Sequence, residues 1–217
     1  RSWEKEEDGK FSYFGIGNPT FKGDETIEKI SINNISTRGA EIGAALSELA
    51  PLAETEYEIN AISKMSIFDK SDILLGSEAT EYNLVNSDNF KNADVISIAT
   101  HGFAMGELNN YSEPGLAFSH SKTNRSKTED NGYLTVTEIS NLDLNADLII
   151  LSACNSGAPI SSISSPFSGL ASSFLAAGSN QVLASQWEIA SKSTAYLMEN
   201  ILNEKNIKVF GPSKEAA

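Results

Sequence analysis

Apolar positions recur along the chain in two rhythms, and their alternation sets the expected architecture. Short stretches rich in apolar and β-branched residues stand at residues 13–17, 72–76, 94–100, 147–153 and 181–186. Runs of that length, bounded by turn formers such as Asn18-Pro19, read as strands buried on both faces. Between them the apolar spacing widens to three and four residues. Ile42, Ala45, Leu46 and Leu49 predict a helix over 38–49, stopped by Pro51. Tyr57, Ile59, Ile62 and Met65 predict another over 53–65, and Ser77 or Thr80 can cap one running through Tyr82, Leu84 and Val85. Phe167, Leu170, Phe174 and Leu175 predict a helix over 166–177, closed by Gly178 as C-cap. Tyr196, Leu197, Ile201 and Leu202 predict a last one over 191–204.

Buried strands alternating with helices predict an α/β fold: a mostly parallel central sheet with helices on both faces. Residues 1–12 are highly charged and read as a linker or frayed segment, and residues 20–35 suit a loop or a hairpin. Residues 103–132 are polar, with a short strand expected at 115–118 and a mobile loop over 119–131. No internal repeat is visible.

Composition narrows the picture. A chain of 217 residues holds one sizeable domain. No apolar run approaches the roughly 20 residues of a membrane span. The chain opens on Arg1 with no basic and apolar leader behind it, so the expectation is an excised domain without a signal peptide, in the cytoplasm. A net charge of −13 argues against a nucleic-acid partner, which needs a basic surface to meet phosphates. An acidic field can favour a basic substrate, although it speaks first of solubility.

One cysteine and two histidines constrain the chemistry further. An intramolecular disulfide is impossible, and so is a zinc or iron–sulfur site built on several thiolates. No H-E-x-x-H pattern occurs, and neither metal nor cofactor is expected. A Cys/His enzyme would have one possible nucleophile, Cys154, and two candidate bases, His101 and His120.

Ligand sites of open parallel sheets form outside the carboxyl ends of the strands. His101 follows the strand at 94–100, and Cys154 follows the strand at 147–153. If those strands are neighbours, about 5 Å apart, both residues overhang one crevice. They are 53 residues apart, close to the caspase spacing. A thiol needs a nearby base to become a good nucleophile, and His101 can supply it and then protonate a leaving amine. Gly102 and Gly157 leave backbone uncovered, and the N–H groups of Gly102 and Cys154 can face a developing oxyanion. On residue pattern alone, a buried structural cysteine and a hydrogen-bonded histidine are an equally good account. Ser152 and the serines of 161–168 supply hydroxyls, but no G-x-S-x-G elbow supports a serine hydrolase.

Ala99-Thr100-His101-Gly102 and Leu151-Ser152-Ala153-Cys154-Asn155-Ser156-Gly157 resemble the His and Cys motifs of CHAT domains, caspase-like cysteine peptidases of clan CD. The likeness runs in order over nearly the whole chain. Tyr13-Phe14-Gly15-Ile16-Gly17-Asn18-Pro19 resembles the first strand of the family. Residues 52–62, with Glu56 and Glu58, resemble its acidic helix, and residues 75–80 the next turn. Gly132-Tyr133-Leu134-Thr135 with Glu138-Ile139, Phe174-Leu175-Ala176-Ala177-Gly178 and Ala184-Ser185-Gln186-Trp187 resemble the elements flanking the Cys strand.

The resemblance implies a caspase-like three-layer fold over residues 13–217 and a His101–Cys154 dyad, with Gly102 in the oxyanion region. It implies a cysteine endopeptidase acting on a protein or peptide substrate without a cofactor. The family is typically bacterial, is linked to regulated proteolysis and in places to defence, and is often joined to TPR sensor modules. No TPR-like repeat is visible here, so such a module would lie outside this chain. The alternative is a catalytically silent pseudo-protease or interaction module on the same fold. Relatives carry Pro and two acidic residues after the Trp, whereas Glu188-Ile189-Ala190-Ser191 follows Trp187 here. That makes Glu188, Trp187 and Ser152 the specificity candidates, with a basic P1 residue as the expectation from Glu188. The aromatic final strand of the family is missing, which suggests C-terminal truncation.

Overall fold

The computed structural model describes residues 10–21, 45–108, 112–120, 131–154 and 166–184, together with residues 196 and 200. Among the described residues, seven strands form one sheet: β1 (Phe11–Pro19), β2 (Phe68–Gly76), β3 (Val95–Phe103), β4 (Gly115–Ala117), β5 (Tyr133–Thr135), β6 (Leu148–Cys154) and β7 (Gln181–Ala184). The helices are α1 (Ala53–Ser63), α2 (Glu81–Val85), α3 (Asp88–Asn92), α4 (Val136–Ser140) and α5 (Pro166–Ala176). The parallel part runs β2-β1-β3-β6-β7, and β4 and β5 join antiparallel at the far end of β3.

The side-chain alternation of the central strands sorts the core into two layers. Phe14 and Ile16 of β1, Ile96 and Ile98 of β3, and Ile149, Leu151 and Ala153 of β6 pack with Leu84, Phe90, Ile139, Leu170 and Phe174 from α2 to α5. The intervening positions Tyr13, Val95, Leu148 and Ile150 pack with Ile62 beneath α1. With helices on both faces of a mostly parallel sheet, the architecture is the expected α/β fold in its caspase-like three-layer form.

Helix α1 sits unusually low on β1. A Cβ at Gly15 would lie 2.6 Å from Cγ2 of Ile59, and one at Gly17 would lie 2.9 Å from its Cγ1. Both glycines are there because the helix needs the space. The buried face of α1 is Thr55, Glu58, Ile59 and Ile62, a spacing of three, four and seven residues. Tyr57, expected inside, is exposed instead, because the helix turns Thr55 and Glu58 toward the sheet.

Several boundaries differ from expectation. β1 begins at Phe11, inside the segment read as a frayed linker, because Ser12 donates from both its N–H and its hydroxyl to the Asp94 carboxylate at 2.7 Å. Helix α3 was not anticipated by apolar spacing; Ser87 caps it by accepting the Phe90 N–H at 3.1 Å, and Phe90 is its single buried residue. Thr80, not Ser77, caps α2 by accepting the Asn83 N–H. The helices expected over 38–49 and 191–204 fall mostly outside the described residues, as does most of the loop expected over 119–131. Residues 45–47, 196 and 200 are helical.

Candidate active site

Strand β3 carries His101 within it, not past its end. The strand pairs with β6 as far as His101, then continues through Gly102 and Phe103 to pair antiparallel with β4. The Thr100 hydroxyl donates to the Ala117 carbonyl and ties the two strands at this fork. Cys154 is the last residue of β6 and stands opposite the start of this fork.

Parallel register pairs Val95 with Leu148 and runs without a shift to the final pair, His101 with Cys154. The two positions therefore stand side by side at the C-terminal end of the central strand pair, where such sheets place their ligand sites. The unbroken register has a simple cause. Every paired position from 95 to 100 is buried, so a slip of one residue would turn each apolar side chain to the wrong layer.

The imidazole of His101 lies on the α1 side of the sheet and is 4 % exposed. Its Nε2 is 2.9 Å from the Ala50 carbonyl oxygen, at the chain's entry to α1. A carbonyl only accepts, so Nε2 carries the hydrogen and Nδ1 of the neutral ring keeps its lone pair. The Phe21 ring packs against the imidazole with centroids 5.4 Å apart. His120, the other candidate base, is exposed beyond β4.

A buried polar group lies beside this pair. The Ser152 hydroxyl, two positions before Cys154, donates to Oε1 of Glu58 at 2.6 Å. Glu58 is 4 % exposed; burial pushes its carboxyl above the ordinary value, and the Ser152 hydrogen bond pulls the other way. Tyr13 and Ser97 occupy the same layer, with the Ser97 hydroxyl beside the Tyr13 phenol. Burial raises the Tyr13 phenol strongly, the Ser97 hydroxyl pulls the other way, and the nearby Glu58 charge adds to the rise.

Ser152 thus faces a helix carboxyl under the sheet. Gly102 is buried and in register with Leu116 of β4, so it belongs to a strand instead of an open turn. Trp187, Glu188 and Gly157 lie outside the described residues. Among the described residues no cluster of His, Cys, Asp and Glu is arranged to hold a metal ion, and no helix is long and apolar enough to cross a membrane.

Sequence reading missed two participants. Ala50 contributes only a backbone carbonyl, for which no sequence signal exists. Glu58 had one: the resemblance names it within the acidic helix, and it shares the face of Thr55, Ile59 and Ile62.

No curated protein matches the chain. The CHAT domain family model, however, matches residues 2–217, and a match of that extent makes this chain a member of the CHAT domain family, which is related to the caspase-like cysteine peptidases.

Proposed function

We propose that the chain is a cysteine endopeptidase in which Cys154 is the nucleophile and His101 the proton-transfer partner. The observation that carries this reading is the register pairing of the two residues at the end of β3 and β6, with His101 held through Nε2 by the Ala50 carbonyl. That tether leaves Nδ1 as the nitrogen with a lone pair for the thiol proton.

In this mechanism Nδ1 of His101 takes the proton from Cys154, and the thiolate attacks the carbonyl carbon of the scissile peptide. The carbonyl electron pair moves onto oxygen, where the Cys154 and Gly102 N–H groups stabilise the oxyanion. Collapse re-forms the carbonyl as a thioester and breaks the C–N bond; the amine leaves with the proton from His101. Water then attacks the thioester, His101 takes its proton, and collapse releases the carboxylic acid and returns the proton to the sulfur. No redox partner or metal enters this balance.

The substrate in this reading is a partner protein or peptide, and an associated sensor module activates cleavage. A peptide library incubated with the wild-type chain and with Cys154→Ala tests it, both with and without a neighbouring sensor protein. Cleavage by the wild type alone is expected; equal turnover by both proteins would remove Cys154 from the mechanism.

A further inference from the structure

Helix α1 buries two polar residues where its spacing calls for apolar ones. Thr55 is accounted for locally: its hydroxyl accepts the Asn18 N–H and donates to the Leu52 carbonyl, each at 2.7 Å. Glu58 is not. Its carboxyl reaches past two strands to a third. Gly17, Ala99 and Ser152 stand in one register row across β1, β3 and β6, and the first two are small enough to leave room for that reach.

Stability does not explain the arrangement. A carboxyl buried without a cation among the described residues is a liability, and an apolar side chain of similar volume would serve the core as well or better. What Glu58 touches is more informative. Ser152 stands one pleat repeat before Cys154 on β6. The same short segment, residues 50–58, also supplies the carbonyl that holds His101. One rigid body therefore grips both strand ends that carry the pair.

We propose that Glu58 is a positioning residue: by holding the Ser152 hydroxyl it fixes the end of β6, so that Cys154 keeps its register against a His101 anchored from the same segment. This rests on the reading of Cys154 as the nucleophile. Hydrogen-bond acceptance, not bulk, is the property required at residue 58. Small displacements of a reacting group cost large factors in rate, up to about a hundredfold for 1 Å.

Cys154 is the only cysteine, so alkylation of the whole chain by iodoacetamide reports on it alone. The test compares the wild type with Glu58→Met, Glu58→Gln and Ser152→Ala, following alkylation rate against pH, peptide cleavage and melting temperature. A paired thiol titrates below the free value of about 8.5. In Glu58→Met and Ser152→Ala the alkylation midpoint is expected to move up toward that value, with kcat falling roughly tenfold at nearly constant KM. Glu58→Met should melt no lower than the wild type, and Glu58→Gln should regain most of the lost reactivity. Combining Glu58→Met with Ser152→Ala should add little to either alone.

An unchanged midpoint in Glu58→Met overturns the proposal, and so does a wild-type midpoint already at the free-thiol value. A loss that follows melting temperature and is not restored by Gln makes Glu58 merely structural. The peptidase reading fails separately, if the wild type and Cys154→Ala do not differ in peptide cleavage; the alkylation contrast decides the role of Glu58 in that case too.

Discussion

The Ala50 carbonyl oxygen lies 2.9 Å from Nε2 of His101 and settles which nitrogen of the neutral ring bears the hydrogen. A main-chain acceptor cannot change its protonation state, so this orientation holds wherever the segment before α1 stays docked. Long-range nitrogen–proton NMR correlation should find neutral His101 protonated at Nε2, and the opposite tautomer would contradict the geometry. On the proposed mechanism, His101→Ala lowers kcat on a cleavable peptide by about 10²–10⁴-fold at neutral pH.

Glu58 gives stability a pH dependence of definite sign. Burial raises its folded-state pKa above the ordinary 4.5, so the folded chain holds this proton more tightly than the unfolded chain. The contribution is complete below the unfolded pKa and is lost as pH rises through the folded one. Glu58→Gln has no proton to lose. Its melting temperature should therefore gain on the wild type as pH rises from about 4 to about 8. A difference, Glu58→Gln minus wild type, that stays constant or falls with rising pH would refute the assignment.

Gly15 is required by the seat of α1 on the sheet. Its added Cβ would meet Ile59 Cγ2 at 2.6 Å and the Tyr13 hydroxyl at 2.8 Å, both deep in the core. Gly15→Ala should destabilise the fold by about 1–3 kcal/mol in urea unfolding. Because the clash is with Ile59, the double variant with Ile59→Ala should cost less than the sum of the two singles.

Two glycines with positive φ should respond differently to asparagine. At Gly178, with φ of +115°, a Cβ would stand 2.4 Å from the Leu144 carbonyl oxygen, and backbone cannot rotate away. At Gly76, with φ of +56°, the nearest atom is Thr20 Oγ1 at 3.8 Å. Gly178→Asn is expected to cost at least about 2 kcal/mol. Gly76→Asn should cost less than about 1 kcal/mol, since asparagine tolerates the left-handed region. Thermal unfolding of the pair side by side checks both.

The central strands were legible because burial on both faces leaves continuous apolar runs, and residues 94–100 and 147–153 stand out against polar flanks. α5 was legible for a related reason: Pro166 opens it, Gly178 follows it, and Leu170 and Phe174 keep helical spacing between them. The reach of β3 to Phe103 was not, since its last residues are held by β4, a partner whose three residues lie in a polar stretch. The buried face of α1 was misread for the opposite reason. Hydropathy favoured Tyr57, whereas close seating over Gly15 and Gly17 turned Glu58 inward.

By itself the sequence determined the α/β class, the parallel strands, the caspase-like likeness and the single thiol available for chemistry. These depend on residue type and local period, which a linear chain displays. Tertiary structure alone decided that β3 and β6 are neighbours with His101 opposite Cys154, that a carbonyl before α1 holds the imidazole, and that Glu58 reaches Ser152. Each of these joins residues more than 50 positions apart through backbone geometry or a buried polar contact. Such contacts are selected by the packing of whole elements, and apolar spacing along the chain carries no record of them.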